Sequence, residues 1–180
     1  MKIISHYFSF FLLCLCIPVS YSASIEEAYD IIRNGDPKAG YEMLQLFAVA
    51  DADPRAYYGI AHLRKEGWGV DKNAVIAIEY YKKAAAFGHL RAMFDLGTFY
   101  QNGHMVQQNY PEAIKWYESA ANEGYAAAMY GLGGLYFNGL GVKKDPDIGT
   151  IWFTKAAKTG FAPAIQFLDQ VNNLGMSSED

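Results

Sequence analysis

The sequence predicts an all-α fold, a superhelix (solenoid) of antiparallel helix hairpins with about nine helices. Three observations support this prediction. A 36-residue pattern returns in register three times, as Ala56, Ala92, Ala128 and Ala164 show. Each copy holds two runs of apolar residues at helical spacing, and a glycine follows each run. Units that each leave an apolar face exposed must stack, which produces a solenoid with one long shared surface.

The first half of each repeat predicts a helix, here named helix A. In the first copy, Ala56, Ile60 and Leu63 recur at i, i+4 and i+7, which places them on one stripe of a helix. A glycine then closes helix A, because glycine accepts the left-handed backbone of a helix C-terminus. The glycines are Gly67, Gly103 and Gly139.

The second half of each repeat predicts helix B, which ends at Gly88, Gly124 or Gly160. Asn109 and Asp145 precede two of these helices and are predicted to be their N-caps. Small residues on helix A are expected to face small residues on helix B, so that the two backbones approach closely. The expected pairs are Ala61 with Ala77, Gly97 with Ala113, and Gly133 with Gly149.

The repeated residues resemble a known family. The pattern A-x-x-x-L-G-x-x-Y-x-x-G-x-G-V, followed by A-x-x-W-Y-x-x-A-A-x-x-G, is similar to the Sel-one-like repeat (SLR), a relative of the tetratricopeptide repeat. The third copy matches best, and three departures stand out: Arg64, Met105 and Gly149. The resemblance covers roughly residues 54–175. It implies a right-handed superhelix with helix A on the concave side and helix B on the convex side.

The domain boundaries follow from the repeat register. Residues 54–89, 90–125 and 126–162 are predicted to be the three SLR units. Residues 23–53 read as a degenerate N-terminal capping hairpin, because Ala39 and Ala56 are 17 residues apart where the array has 15. Residues 163–175 are predicted to be a C-terminal capping helix with a polar terminal face, and 176–180 a disordered tail.

The first 22 residues are predicted to be a secretory signal peptide. Lys2 precedes a mostly apolar run, and small residues follow at the expected cleavage positions. A membrane anchor and a lipoprotein are the alternatives. Both cysteines, Cys14 and Cys16, would be removed with this segment, so no disulfide is expected in the mature chain. We therefore expect a periplasmic or secreted protein without stable membrane insertion.

The charge pattern argues against nucleic acid as a partner. Loss of Lys2 leaves 14 Lys and Arg, one fewer than the whole chain's 15, against 19 Asp and Glu, a net charge of −5. Binding to nucleic acid requires a Lys/Arg footprint, and no basic run is present. The histidines His62, His89 and His104 share no metal-ligand spacing. No catalytic residue, metal site or cofactor is therefore predicted.

A stripe on helix A is predicted to form a protein-binding groove. Tyr58, Phe94 and Tyr130 occupy one equivalent position in successive units and are expected to form an aromatic ladder. Cations and polar groups flank this ladder, which suits an extended peptide or a helix with acidic flanks. The other predicted groove residues are Arg55, His62, Lys65, Arg91, Thr98, Gln101 and Phe137. The alternative is that the aromatic residues only seal packing between repeats, the role predicted for Tyr57, Met93 and Met129.

The sequence therefore predicts a non-catalytic, monomeric adaptor or scaffold that binds another protein or peptide. The resemblance implies a bacterial cell-envelope or exported protein. One alternative is a regulator that binds peptidoglycan or a peptidoglycan-processing enzyme, since aromatic rings also stack on sugars. Self-association through the convex face is another. An enzyme acting on β-lactams is the last, although the cysteine pairs of the SLR proteins linked to such activity are missing here.

Overall fold

The structure is a computed structural model that describes residues 24–176, with side chains described as far as Asn173. The predicted signal peptide lies outside the described residues, as does the predicted tail beyond residue 176. The described chain contains nine α-helices, which confirms the all-α prediction. They are α1 Ile25–Arg33, α2 Pro37–Ala50, α3 Pro54–Glu66, α4 Ala74–Ala86, α5 Leu90–Asn102, α6 Tyr110–Asn122, α7 Ala126–Asn138, α8 Pro146–Lys158 and α9 Ala162–Met176.

The helices stack in sequence order. The pairs α1–α2, α3–α4, α5–α6 and α7–α8 each pack together, and each pair also contacts the helix that follows it. The first helices of neighbouring pairs touch as well, α1 with α3 and α5 with α7. The A helices therefore form the closely spaced layer of an α/α solenoid, with the B helices outside them.

The predicted glycines and N-caps are found at the helix ends. Gly67, Gly103 and Gly139 have φ angles of 80°, 68° and 73°, the left-handed region expected for a helix-closing glycine. Asn109 and Asp145 accept hydrogen bonds at 3.1 and 3.0 Å from the backbone N–H groups of Glu112 and Ile148, which confirms both N-caps.

The core of each unit contains the predicted stripe. Ala56 and Ile60 have no exposed surface, and Leu63 is 2% exposed. The equivalent residues of the other two units are also buried. Tyr57 packs against two core clusters, one in α1 to α3 and one centred on α4 and α5, and its ring centroid lies 5.6 Å from that of Phe87 in the same unit. Met93 packs against the core residues of two neighbouring units, as predicted for a side chain that seals packing between repeats.

The three departures from the family pattern have local explanations. Arg64 donates to the Tyr41 hydroxyl at 2.7 Å and lies over its ring, so it ties the first unit to the N-terminal hairpin. Met105 has a φ of 65°, the left-handed backbone that glycine adopts at the equivalent loop positions of the other units. Gly149 lies so close to Phe137 that an added Cβ would be 2.8 Å from the Phe137 Cβ.

The last helix differs from the polar cap that the sequence suggested. Ala164 of α9 is buried, but Ile165 and Val171 each remain 40% exposed. In the preceding units, the equivalents of Val171 are buried, as Leu135 shows. No helix B covers this side of α9 within the described chain, so its apolar face is only partly covered.

Candidate functional site

The predicted aromatic ladder lies at the junctions between units. Tyr58, Phe94 and Tyr130 are half-buried, and each contacts one ring of its own helix B and one residue that precedes the next helix A. Within the described residues, the rings of successive ladder residues do not contact one another. The ring-centroid distances are Tyr58–Tyr81 5.7 Å, Tyr58–His89 4.4 Å, Phe94–Tyr117 5.7 Å, Phe94–Tyr125 5.6 Å, Tyr130–Phe153 5.1 Å and Tyr130–Phe161 5.7 Å. The ladder therefore connects each helix pair to the start of the next one, whether or not it also binds a partner.

Three of the predicted groove residues contact other helices, Thr98 and Gln101 their own helix B and Phe137 the last helix. The Tyr117 hydroxyl donates to Gln101 Oε1 at 2.8 Å and lies 3.1 Å from Thr98 Oγ1. Phe137 packs edge-on against Phe167 of α9, with ring centroids 5.4 Å apart. These half-buried side chains therefore serve packing inside the solenoid.

The predicted cations are paired. Arg55 binds Asp53 and Glu26 at 2.8 and 2.6 Å, and its guanidinium holds the pKa of the Asp53 carboxyl below its usual range through a hydrogen bond. Lys65 lies 2.9 Å from Glu66. Their charges are compensated locally, so these residues add little net positive field to the groove.

Tyr58, Asp95 and Arg91 form a connected polar group beside the first ladder position. The Tyr58 hydroxyl donates to Asp95 Oδ2 at 3.0 Å, and Arg91 Nε donates to Asp95 Oδ1 at 3.1 Å. Burial, followed by the Asp95 charge, raises the pKa of Tyr58. The hydroxyl therefore stays protonated and holds the ring in one orientation.

An apolar cleft lies between α1 and α3 at the N-terminal end of the A-helix layer. Its volume is about 260 Å³. It is lined by two predicted groove residues, Tyr58 and His62, together with Tyr29, Ile32, Gly59, Leu63 and Trp68. Trp68 is 53% exposed at the rim and packs edge-on against His62, with ring centroids 5.7 Å apart. An apolar, aromatic cleft therefore opens at this end of the chain of helices.

The walls of the cleft are held rigidly. The Tyr29 hydroxyl donates to the Arg55 carbonyl at 2.7 Å, and burial with the nearby Asp53 raises the pKa of Tyr29 to about 12. Burial, followed by the Lys65 charge, lowers the pKa of His62, so its imidazole is neutral at pH 7. Both residues therefore contribute uncharged rings to the cleft.

Five of the seven lining residues were not predicted to belong to the groove, among them Trp68, Tyr29 and Ile32. Trp68 lies in the loop after helix A, which the sequence analysis treated only as a glycine-closed helix end. A tryptophan where the other units have His104 and Leu140 is a signal that could have marked it. Tyr29 and Ile32 belong to the hairpin outside the repeat register, so no comparison between units could align them with the groove.

The described residues contain no group of three His, Cys, Asp or Glu side chains arranged to hold an ion. The site consists instead of neutral rings, one rim tryptophan and paired ions. The chemistry of such a surface suits an apolar side chain.

The Sel1 repeat family model matches residues 54–89, 90–125 and 126–161, more than half of the chain. The chain belongs to the Sel1 repeat family. Sel1 repeat proteins are TPR-like and generally mediate protein–protein interactions, and the fold is typically a non-catalytic scaffold. They are often exported. No helix between residues 24 and 176 is both long and apolar enough to cross a bilayer.

Solved structures show the same fold. A Sel1 repeat protein from Oxalobacter formigenes is 32% identical with a TM-score of 0.74, and the alignment covers 84% of this chain and 62% of that one. A protective antigen of uropathogenic Escherichia coli strains with an SLR fold is 28% identical with a TM-score of 0.59 over 77% of this chain and 26% of that one. The chain therefore spans less than two thirds of either relative.

A third similar structure, the Helicobacter pylori cysteine-rich protein B, is 19% identical with a TM-score of 0.54. That alignment covers 81% of this chain and 98% of the other, and it supports the fold alone. None of the curated proteins compared with the chain matches it.

Proposed function

We propose that this Sel1 repeat chain is an exported, non-catalytic adaptor that binds a peptide segment of another protein in the concave groove. The cleft around Trp68 anchors that segment by taking up one apolar side chain. The half-exposed Trp68 indole is the observation that carries this proposal, because large exposed aromatic groups next to an apolar cleft are typical of binding surfaces.

The size and lining of the cleft favour a side chain over a small-molecule ligand. Its volume of about 260 Å³ is below the ~300–1,000 Å³ typical of small-molecule sites. Tyr58 and His62 present uncharged rings to it, and the neighbouring Lys65 is paired with Glu66. An aliphatic or aromatic side chain of a peptide matches this lining, and a strongly charged ligand does not.

The cellular setting is part of the same proposal. The N-terminal sequence has the features of a signal peptide, and Sel1 repeat proteins are often exported. We therefore place the adaptor in the bacterial periplasm or outside the cell, as a monomer. Arg55 lies beside the cleft, and the ladder residues Phe94 and Tyr130, with Arg91, continue the proposed groove toward the C-terminal units.

A photo-crosslinking experiment tests the proposed groove. A photoreactive amino acid is placed at Glu66, one turn beyond His62 on α3, or at Val75, which is 70% exposed on α4. Crosslinking is carried out in cells, and the attached peptide is identified by mass spectrometry. We expect Glu66 to capture one linear protein segment that contains an apolar residue, and Val75 to capture none of it.

The same experiment with Trp68→Ala and Phe87→Ala tests the anchor. Phe87 is a matched control because it is also aromatic, is 54% exposed, and lies in the loop after helix B. Capture at Glu66 is expected to be lost with Trp68→Ala and kept with Phe87→Ala. Equal capture by both variants, or capture at Val75 instead, contradicts the groove. Capture of glycan fragments in place of a protein segment favours the peptidoglycan alternative.

A further inference from the structure

His89 lies at the junction between the first two repeats and closes the N-terminus of α5. Its Nδ1 atom accepts a hydrogen bond from the Ala92 backbone N–H at 3.1 Å. Its ring stacks on Tyr58 with a centroid distance of 4.4 Å and an angle of 16° between the planes. One imidazole therefore both caps the second unit and packs against the first.

The capping bond requires the neutral imidazole. A histidine that accepts at Nδ1 carries its single ring proton on Nε2, and a second proton would turn the acceptor into a donor. That N–H would then face the Ala92 N–H, and the new positive charge would lie at the positive end of the α5 dipole. Protonation of His89 therefore removes the cap and opposes the helix.

Charged groups on both neighbouring helices surround His89. On α5 these are Asp95 and Arg91, and at the start of α3 it is Asp53. The two carboxylates favour the protonated ring, whereas burial and Arg91 oppose it. Burial is the largest of these effects, so the pKa of His89 lies below its ordinary value. The hydroxyl of the stacked Tyr58 is itself engaged with Asp95, so it does not compensate a charge on the imidazole.

The other two junctions have no histidine at this position. Tyr125 and Phe161 occupy the equivalent places and pack against Phe94 and Tyr130. Tyr125 precedes α7 without a side-chain capping bond. The junction at His89 is therefore distinct from its two counterparts in chemistry, although it shares their geometry.

We propose that His89 makes the junction between the first and second repeats sensitive to acid. Protonation breaks the cap of α5 and separates the imidazole from Tyr58, which loosens the second unit from the first. Tyr58 also lines the cleft between α1 and α3, so the loosening reaches the concave surface. This inference rests on the junction geometry and holds whether or not the cleft binds a peptide.

The direction of the pH effect follows from linkage. In the unfolded chain His89 binds a proton below about pH 6.5, while in the folded chain it stays neutral to a lower pH. Its stabilising contribution is therefore complete above about pH 6.5 and is lost as the pH falls through the folded pKa. Within that window the unfolding equilibrium constant rises by at most about tenfold per pH unit for this one group.

Three variants isolate this histidine. His89→Tyr introduces the residue of the next junction, keeps the stacking ring and does not titrate. His89→Asn keeps a capping acceptor and serves if the tyrosine variant fails to fold. His62→Gln is the control, because His62 is the other histidine whose pKa burial lowers. Urea unfolding of each protein is measured between pH 7.5 and 5.

We expect the wild type to lose stability on acidification and the His89 variants to lose distinctly less. His62→Gln removes a second histidine with a lowered pKa, so its overall stability should also depend less on pH. Amide exchange at Ala92, corrected for its intrinsic pH dependence, separates the two: it should accelerate at acid pH in the wild type and in His62→Gln, but not in the His89 variants. An NMR titration should place the His89 pKa below 6.5. The proposal is wrong if His89 titrates at or above 6.5, or if His89→Tyr and His89→Asn follow the wild-type pH profile.

Discussion

At the scale of single residues, Tyr81, Tyr117 and Phe153 occupy one equivalent position of helix B. In the second and third units, the side chain at this position is chemically matched to the helix-A side chains that it contacts. In the second unit, the Tyr117 hydroxyl bonds to Thr98 and Gln101. In the third unit, Phe153 has no hydroxyl and meets Phe137, with ring centroids 6.1 Å apart. The first unit breaks this match, because the buried Tyr81 hydroxyl has no hydrogen-bond partner among the described residues.

The mismatch makes two chemically identical substitutions differ in sign. Tyr81→Phe is expected to stabilise the fold by up to about 1 kcal/mol, because an unpaired buried hydroxyl is costly. Tyr117→Phe is expected to destabilise it by about 1–2 kcal/mol, because Gln101 and Thr98 lose their partner. Urea unfolding of both variants at pH 7.5 measures the difference. Equal losses for the two variants would contradict the assignment of Tyr81 as unpaired.

At the scale of the helix pair, the close approach of helix A to helix B depends on small residues. In the third unit, a Cβ on Gly133 would lie 2.9 Å from the Phe153 ring and 3.0 Å from the Gly149 carbonyl oxygen. A Cβ on Gly97 would lie 2.5 Å from the Tyr117 ring. These glycines are needed for space, since both lie inside helices where alanine has the better backbone propensity.

Two neighbouring glycines of α7 separate the effect of space from that of propensity. Gly133→Ala should destabilise the protein by about 1–3 kcal/mol through overpacking against α8. Gly134→Ala should stabilise it by about 0.5–1 kcal/mol, because a Cβ there meets nothing within 4 Å and alanine favours the helix. Thermal and urea unfolding of both variants measure the two effects. A destabilised Gly134→Ala variant would show that this face of α7 is covered in solution.

At the scale of the whole molecule, the core is a chain of local clusters. One cluster spans α1 to α3, one is centred on α4 and α5, and one extends from α6 to α9. Tyr57 and Tyr80 pack against the first two clusters, and Met93 packs against the second and third. Stability in such an array is approximately the sum of unit and nearest-neighbour contributions.

This arrangement predicts that a core substitution destabilises mainly the helices around it. Leu132→Ala, at a fully buried position of the third unit, should lower the free energy of unfolding by about 2–5 kcal/mol. Its loss of hydrogen-exchange protection should be concentrated in α6 to α9, while α1 to α3 keep theirs. Ile60→Ala, at the equivalent buried position of the first unit, is the matched control and should show the opposite distribution. Uniform loss of protection in both variants would indicate one cooperative unit.

Substitutions in the ladder and at Trp68 differ in how well they separate binding from folding. Tyr58, Phe94 and Tyr130 each contact two residues on neighbouring elements, so removing them weakens the solenoid as well as any groove. Trp68 is half exposed in a loop and its ring contacts only His62 among the aromatic side chains of the described residues, so we expect its removal to disturb the array less. The predicted ladder remains a proposal for binding, and Trp68 is the residue through which that proposal can be tested separately from folding.

The sequence by itself determined the repeat length, the helices, their caps and the buried stripe. All of these depend on spacing within one unit, and three copies in register make that spacing visible. Only the tertiary structure decided which side chains are shared between units and where a cleft opens. Tyr29, Ile32 and Trp68 come together because an out-of-register hairpin packs against α3, and a contact between segments of different register leaves no period in the sequence to detect.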